Sequence, residues 1–442
     1  MKNYDAIVIG SGVGGFSAVF ELKTAGLKVA IVESDLWGGT CPNRGCDPKK
    51  VLMAAVEAKH KVNALSGKGF EADASIDWEE LMAFKKTFTD PVSSERKAAL
   101  EKAGIDYYAG QAEFSDPHQI IVNDEQLQAK QFLIATGQRA SILPLEGQEY
   151  IQTSSDFLEL EHLPKRITFI GAGYIALELA TIANAAGAQV EVIHHNDQPL
   201  KEFDRELVTE LVDYLTKQGV RFTFNVDVEQ VEVMRPGYRL VGDNFETVTD
   251  MVIGATGRIP NVEALSLEKA GVTYSKKGIE VNDHLQTSAP HIFACGDVLA
   301  KVRPKLTPVS VFEGEYVAQV MTGKTSHAID YPLIPTIVFG AKKLARVGLA
   351  EKTIQKSDGK YHSRTLDLAS WFTYARINDE LAKIKFVYDE NDTIVAITCL
   401  SSLADELINQ LTLVLNQKIS HAELKKMIIG YPTTASDLEY LV

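Results

Sequence analysis

The sequence predicts an α/β chain that closes with an α+β region, and three observations carry that expectation. Apolar β-rich strings alternate with helical patterns over roughly the first 330 residues, the way parallel sheets built from strand–helix–strand units read. One design occurs twice: Ala6 to Ser34 and Ile167 to His195 each run strand, glycine-rich turn, alanine-rich helix, strand. No third copy follows, the stretch from Ile259 to Leu285 being mixed. After Tyr331 the pattern changes. Strands are expected at Lys383 to Tyr388 and Thr393 to Leu400, ahead of helices at Ala404 to Asn416 and His421 to Ile428.

Length and charge narrow the function classes. At 442 residues the chain exceeds one core, so about two to four domains are expected. Its 45 basic and 59 acidic residues leave a net charge of −14, and no basic stripe offsets it. That argues against a nucleic-acid or anionic-membrane partner. A strand pattern begins at Tyr4 and no apolar stretch is long enough to span a bilayer. The expectation is a soluble cytoplasmic protein without a leader.

The first turn is Gly10-Ser11-Gly12-Val13-Gly14-Gly15. Glycine permits positive φ and lets backbone approach a pyrophosphate, while the helix that follows offers free N–H groups and a positive dipole end. Glu33 ends the next strand, 23 residues after Gly10, where a carboxylate can accept ribose hydroxyls. The second turn is Gly171-Ala172-Gly173-Tyr174-Ile175-Ala176, and the same offset lands on His194 rather than an acid. With His195 and Lys201 nearby, a 2′-phosphate should be accepted there, favouring NADPH over NADH. Asp197 and the weak basicity of histidine work against that preference.

Four cysteines, Cys41, Cys46, Cys295 and Cys399, are too few for a disulfide framework in so long a chain. Cys41 and Cys46 stand five apart in Gly38-Gly39-Thr40-Cys41-Pro42-Asn43-Arg44-Gly45-Cys46-Asp47-Pro48-Lys49-Lys50. At the start of an expected helix, beside Arg44, Lys49 and Lys50, they can close a small ring and favour thiolate. A metal site is a poor reading, because no second Cys/His pair stands at ligand spacing. Cys295 and Cys399 read as buried strand thiols without chemistry.

With these motifs the chain resembles the class I pyridine nucleotide–disulfide oxidoreductases, the family of glutathione reductase, dihydrolipoamide dehydrogenase and mercuric reductase. The resemblance extends to Ala135-Thr136-Gly137, Ala255-Thr256-Gly257-Arg258, Gly296-Asp297, Leu306-Thr307-Pro308, Pro335-Thr336 and Val347-Gly348-Leu349-Ala350-Glu351. It implies two Rossmann-like domains and a dimerisation domain: an FAD-binding domain at 1–145 continued at 259–330, an NAD(P)H-binding domain at 146–258, and a C-terminal α+β dimerisation domain at 331–442. It implies a homodimer that passes electrons from NADPH through FAD to the Cys41–Cys46 disulfide, and on to a small disulfide or thiol-reactive substrate. Cys46 is then the flavin-side thiolate, in charge-transfer contact with FAD, and Cys41 the interchange thiol that attacks substrate. Lys49 lies near flavin N5 and pairs with Glu178, Tyr174 gates the nicotinamide pocket, and Asp297 binds the ribityl chain. The cofactor-binding set is Gly10, Gly12, Gly14, Gly15, Glu33, Gly39, Thr40, Lys49, Ala135, Thr136, Gly137, Gly171, Gly173, Tyr174, Ile175, Glu178, His194, His195, Lys201, Gly257, Arg258, Gly296, Asp297, Thr307 and Pro308. No resident metal is expected.

The chain departs from the family in three places. Where disulfide reductases carry a C-terminal His-Pro-Thr with a glutamate five residues later, this chain has Tyr431 and Ser436. A phenol is a poor base near neutrality, so Tyr431 either donates a proton or packs. Where glutathione reductase has substrate-holding arginines, this chain has Phe20 and Glu315, which favours a less anionic substrate; Arg96 stands near a position that is normally aromatic. Mercuric reductases share the tyrosine but add a terminal cysteine pair and an N-terminal metal-binding domain, neither expected here. Metal-ion reduction by the same cysteines, and a flavin-bearing binding protein with little turnover, are the alternatives.

Overall fold

The structure is a computed structural model that describes residues 2–301, 303–357 and 359–442. It divides into two compact units. The first comprises Met1–Lys49, Ala83–Ser141 and Gly257–Asp330; the second comprises Lys50–Met82, Ile142–Thr256 and Tyr331–Val442.

The first unit is organised on strand Lys2–Ile9, paired in parallel with Val29–Glu33 and Glu125–Ile134. Ala6, Ile7, Val8 and Ile9 are all buried, as expected of a strand covered on both faces, where apolar residues run on without alternation. Asp106–Ala109 extends the sheet in parallel beyond Val29–Glu33. The long strand Glu125–Ile134 divides its other edge between Gln119–Val122, antiparallel, and Ile292–Ala294, parallel. Ala112–Asp116 completes the antiparallel end.

The second unit holds a parallel sheet in the order Arg221–Phe224, Gln189–His194, Arg166–Ile170, Met251–Gly254. Helix Tyr174–Ala185 is buried from Ala176 through Ala183. Beyond Tyr331, five antiparallel strands follow the order Thr336–Val338, Lys343–Gly348, Ile394–Ser401, Lys383–Tyr388, His362–Asp367. Helix Ala404–Asn416 buries Leu407, Ile408, Leu411 and Val414, a stripe at helical spacing. Burying these four side chains is worth roughly 6–12 kcal/mol, an upper figure for an extended unfolded chain.

Two expectations are corrected. The first 330 residues are not all parallel: besides the Ala112–Asp116 end, Val228–Val233, Tyr238–Gly242 and Phe245–Thr249 form an antiparallel meander. Two-residue turns decide this. Asn123 and Asp124 both take positive φ (46° and 67°), which closes a tight hairpin between Gln119–Val122 and Glu125–Ile134. The helix expected from His421 to Ile428 stops at Leu424. A capping box of Ser420 and Glu423 starts it, but only Leu424 finds a buried place, while Met427 and Ile428 are exposed.

Candidate active site

The first glycine turn lies at the carboxyl end of strand Lys2–Ile9, where open α/β sheets bind ligands. Gly10 has φ +104°, and a Cβ there would fall 2.4 Å from Ala135 O. Only glycine tolerates both conditions. A Cβ on Gly15 would meet Gly10 O at 2.1 Å, and one on Gly39 would meet Gly12 Cα at 2.6 Å, so the cysteine loop is pressed against the turn. Gly12 differs: nothing lies within 4 Å of its Cβ position, and helix Val13–Thr24 begins there without a side-chain cap. The clear face and the uncapped helix end fit a dinucleotide pyrophosphate.

Glu33 is held in place. Its Oε2 accepts from Ser11 N at 2.9 Å and Ser11 Oγ at 2.8 Å, and its Oε1 from Asp35 N at 3.0 Å. Ser11 Oγ in turn accepts from Gly38 N at 2.9 Å. The other named loops gather at the same sheet end. Ala135 N donates to Ile9 O, Thr136 Oγ1 donates to Asn261 O at 2.7 Å, Gly137 O accepts from Asn261 N, and Arg258 donates to Gln138 O. Gly257 O accepts from Ser141 N at 3.0 Å. Gly296 N donates to the buried Glu313 at 2.7 Å, and Lys305 donates to the Asp297 and Leu299 carbonyls. Burial pushes the Asp297 carboxyl up.

The cysteines sit in the same unit. Asn43, buried, donates to Trp37 O and Gly39 O and fixes the short helix Thr40–Arg44 that carries Cys41. A Cβ on Gly45 would lie 2.8 Å from Thr40 O, so a glycine allows the chain to fold back and bring Cys46 to Cys41. Cys46 opens helix Cys46–Ala64, and its Sγ lies 3.3 Å from Thr307 Oγ1 at the start of helix Thr307–Met321, whose first turn also holds Pro308. Cys41 Sγ faces Asp47 Oδ1 at 3.8 Å. Both cysteines are free, Cys41 half-buried and Cys46 exposed. Hydrogen bonding between the sulfurs, aided by Thr307 and Lys49, brings Cys46 down to about 6, while the same bond and burial push Cys41 up. The opposite shifts favour thiolate at Cys46 and thiol at Cys41.

The second turn repeats the first at the end of Arg166–Ile170. Gly171 has φ +106° and meets Ala255 O, while the Cβ position of Gly173 is clear and helix Tyr174–Ala185 starts there uncapped. Tyr174 is exposed at the helix start and Ile175 half-buried. His194 Nδ1 is buried without a hydrogen-bond partner, an atom a bound group could satisfy. Burial, then the adjacent His195, lowers its pKa. Lys201 is exposed in the following loop, and Asp197 is taken by Arg205 at 2.8 Å. These residues fit a pyridine nucleotide.

The family models agree with this geometry. Residues 4–314 match the pyridine nucleotide-disulphide oxidoreductase family, and residues 334–441 match its dimerisation domain. The chain belongs to this family. The glutathione reductase of Burkholderia cepacia is 33% identical over 98% of this chain and 97% of its own, and the mercuric reductase of Lysinibacillus sphaericus 31% identical over 99% and 82%. Among solved structures, the Cu(II) complex of the HOCl-induced flavoprotein disulfide reductase RclA from Escherichia coli has a TM-score of 0.90 at 25% identity, covering 100% of this chain and 99% of that one. As a disulfide oxidoreductase of this family the chain works with FAD and a pyridine nucleotide. Among the described residues no helix is long and apolar enough to cross a membrane.

Within the family frame, the remaining residues can be located. Glu178, buried, accepts from Phe339 N at 3.0 Å and from Lys50 Nζ at 3.1 Å; the Lys50 amine also lies 3.3 Å from the Phe339 ring centre. Lys50, the residue after Lys49 on the same helix, is a partner of this carboxylate that sequence reasoning did not name. Tyr431 is exposed in the second unit and stacks on Phe372 at 5.9 Å, and Ser436 completes the capping box that Thr433 opens. In the first unit, Arg96 packs beside Gly38 next to the cysteine loop and lies 4.7 Å over Phe16, whose ring is tilted against Phe20 at 5.0 Å. Ser17 on the same helix donates to Glu315 at 3.2 Å. Thr307 as a sulfur partner carried no signal in the sequence, since its contact joins positions 261 apart; Asp47 stands in the cysteine motif, and only the fold aims it at Cys41.

Proposed function

We propose that the chain uses NADPH to reduce a small disulfide of low negative charge through Cys41 and Cys46. The observation that carries this reading is the placement of the pair beside the first glycine turn, with Cys46 Sγ 3.3 Å from Thr307 Oγ1 and Cys41 Sγ 3.8 Å from Asp47 Oδ1. Cys41 sulfur attacks the substrate disulfide and loses its proton, the substrate S–S bond breaks, and one thiol leaves. Cys46 thiolate then attacks the Cys41 sulfur, closes the Cys41–Cys46 bond and releases the second half as a thiolate, which takes a proton from solvent. One disulfide becomes two thiols, and the pair is oxidised by two electrons. The chemistry FAD supplies when bound is two-electron transfer between the nicotinamide and this sulfur pair.

Gly10, Gly12, Gly14, Gly15, Glu33 and Asp297 hold the FAD in this reading, and Gly171, Gly173 and Tyr174 the nicotinamide nucleotide. His194, His195 and Lys201 face its 2′-phosphate, a choice favoured because Arg205 neutralises Asp197. The exposed Glu315 repels anionic disulfides, and the Phe16–Phe20 pair offers an apolar wall beside it. The 331–442 region pairs two copies, and Tyr431 in that region either donates a proton or packs. A cytoplasmic location fits an NADPH-dependent reductase.

Anaerobic NADPH titration tests the reading. A long-wavelength thiolate–flavin absorbance should appear and be lost in Cys46→Ser, and lipoamide should turn over faster than glutathione disulfide. Flavin reduction without any accepted disulfide overturns it. A second reading, reduction of a metal ion held by the two sulfurs, is favoured by the likeness to the mercuric reductase and to the Cu(II) complex of RclA. Hg²⁺- or Cu²⁺-dependent NADPH oxidation without disulfide turnover selects it.

A further inference from the structure

We propose that Asp47 is a positioning residue for the interchange thiol: it takes the Cys41 S–H as hydrogen-bond partner, keeps that sulfur protonated beside the Cys46 thiolate, and turns away anionic electrophiles. The motif places this carboxylate directly after Cys46, and the fold aims it at the other sulfur, with Cys41 Sγ donating to Asp47 Oδ1 at 3.8 Å. Asp47 lies in the first turn of helix Cys46–Ala64, whose positive end holds a carboxylate in place. The other groups facing the sulfurs are Lys49 on the same helix and the Thr307 hydroxyl on helix Thr307–Met321; Arg44 is taken up by Asp35. The hydrogen bond between the sulfurs divides the two thiols first; Asp47 raises both, and its hydrogen bond goes to Cys41.

The size of the effect follows from distance. An exposed carboxylate about 4 Å from a sulfur, in water-like surroundings, changes its ionisation by a factor of about three to ten. The same field acts on an approaching reagent. Asp47 therefore adds a local bias against anions to the one proposed for Glu315, which lies eight residues, or about 12 Å of helix, beyond Thr307.

The test uses FAD-loaded protein, reduced and desalted, alkylated from pH 5 to 10 with iodoacetamide or iodoacetate, which differ chiefly in charge. Each forms a carbon–sulfur bond, releases iodide and leaves the thiol proton to solvent. Peptide mass spectrometry reads Cys41 and Cys46 separately. In Asp47→Asn the iodoacetate-to-iodoacetamide rate ratio at Cys41 should rise about three- to tenfold, and its pH midpoint should fall by about 0.5–1 unit. Asp47→Glu should stay near the parent. An unchanged ratio and midpoint overturn the assignment. The role in turnover rests on the disulfide reading: where that holds, kcat/KM for glutathione disulfide relative to lipoamide rises by a similar factor in Asp47→Asn. A shifted alkylation ratio in protein that reduces no disulfide leaves Asp47 in place and removes the disulfide reading instead.

Discussion

Cys46 Sγ lies 3.3 Å from Thr307 Oγ1, a contact between the first residue of one helix and the first residue of another, 261 positions on. With the Cys41 bond and Lys49, it keeps the Cys46 thiol near 6. A hydrogen bond to a charged group is worth about 1.5–3 kcal/mol, or about one to two pKa units. Disulfide turnover should fall as pH drops through about 6, where the Cys46 thiolate is protonated. In Thr307→Val that acid limb should move up by about one to two units. A pH–rate profile, with the pH dependence of the long-wavelength absorbance beside it, checks both.

Glu315 accepts from Ser17 on the helix that carries Phe16 and Phe20. Reversing its charge should favour anionic disulfides. For Glu315→Arg, kcat/KM with glutathione disulfide is expected to rise about tenfold or more, mostly through KM, while lipoamide changes little. Equal effects on both substrates would show that the carboxylate does not face the substrate path.

Tyr431 stacks on Phe372 with its ring exposed. If the absent base limits disulfide exchange, Tyr431→His should raise kcat by ~10–100-fold near pH 7. An unchanged kcat assigns Tyr431 to packing alone. Steady-state assays on lipoamide and glutathione disulfide decide between them.

His60 is packed under Tyr214, whose hydroxyl lies 3.3 Å from His60 Nδ1, in a part of the second unit that also holds the buried Lys342–Asp379 ion pair. Burial, then the Lys342 charge, lowers its pKa to about 4. The folded-state pKa is thus below the unfolded value of about 6.5, so folding favours the neutral ring. The stabilisation is complete above pH 6.5 and is lost as pH falls from 6.5 toward 4, at most about 3 kcal/mol. Chemical denaturation at pH 7.5 and 4.5 should show the loss, and His60→Gln should reduce it.

Much of the architecture was legible because it rests on local chemistry. Glycine turns after apolar strands announce dinucleotide cradles, and Gly10 and Gly171 take the positive φ that their residue type allows. The antiparallel additions were not legible, because a hairpin turns on the backbone of two residues, here Asn123 and Asp124, between strings that read like any other strand. The helix expected to reach Ile428 ends early because periodicity states which face is apolar, not whether anything covers it.

The site divides along the same line. By itself the sequence determined that two thiols stand five apart after a dinucleotide turn, that the second cradle lacks an acid at His194, and that a tyrosine replaces a histidine at 431. Only the tertiary structure decided that Thr307 and Asp47 flank the sulfurs, that Lys50 reaches Glu178, and that Arg205 pairs with Asp197. Residue type sets which charge or hydrogen bond is available. Which group receives it depends on distances of 3–4 Å, and most of those distances join segments far apart in the chain.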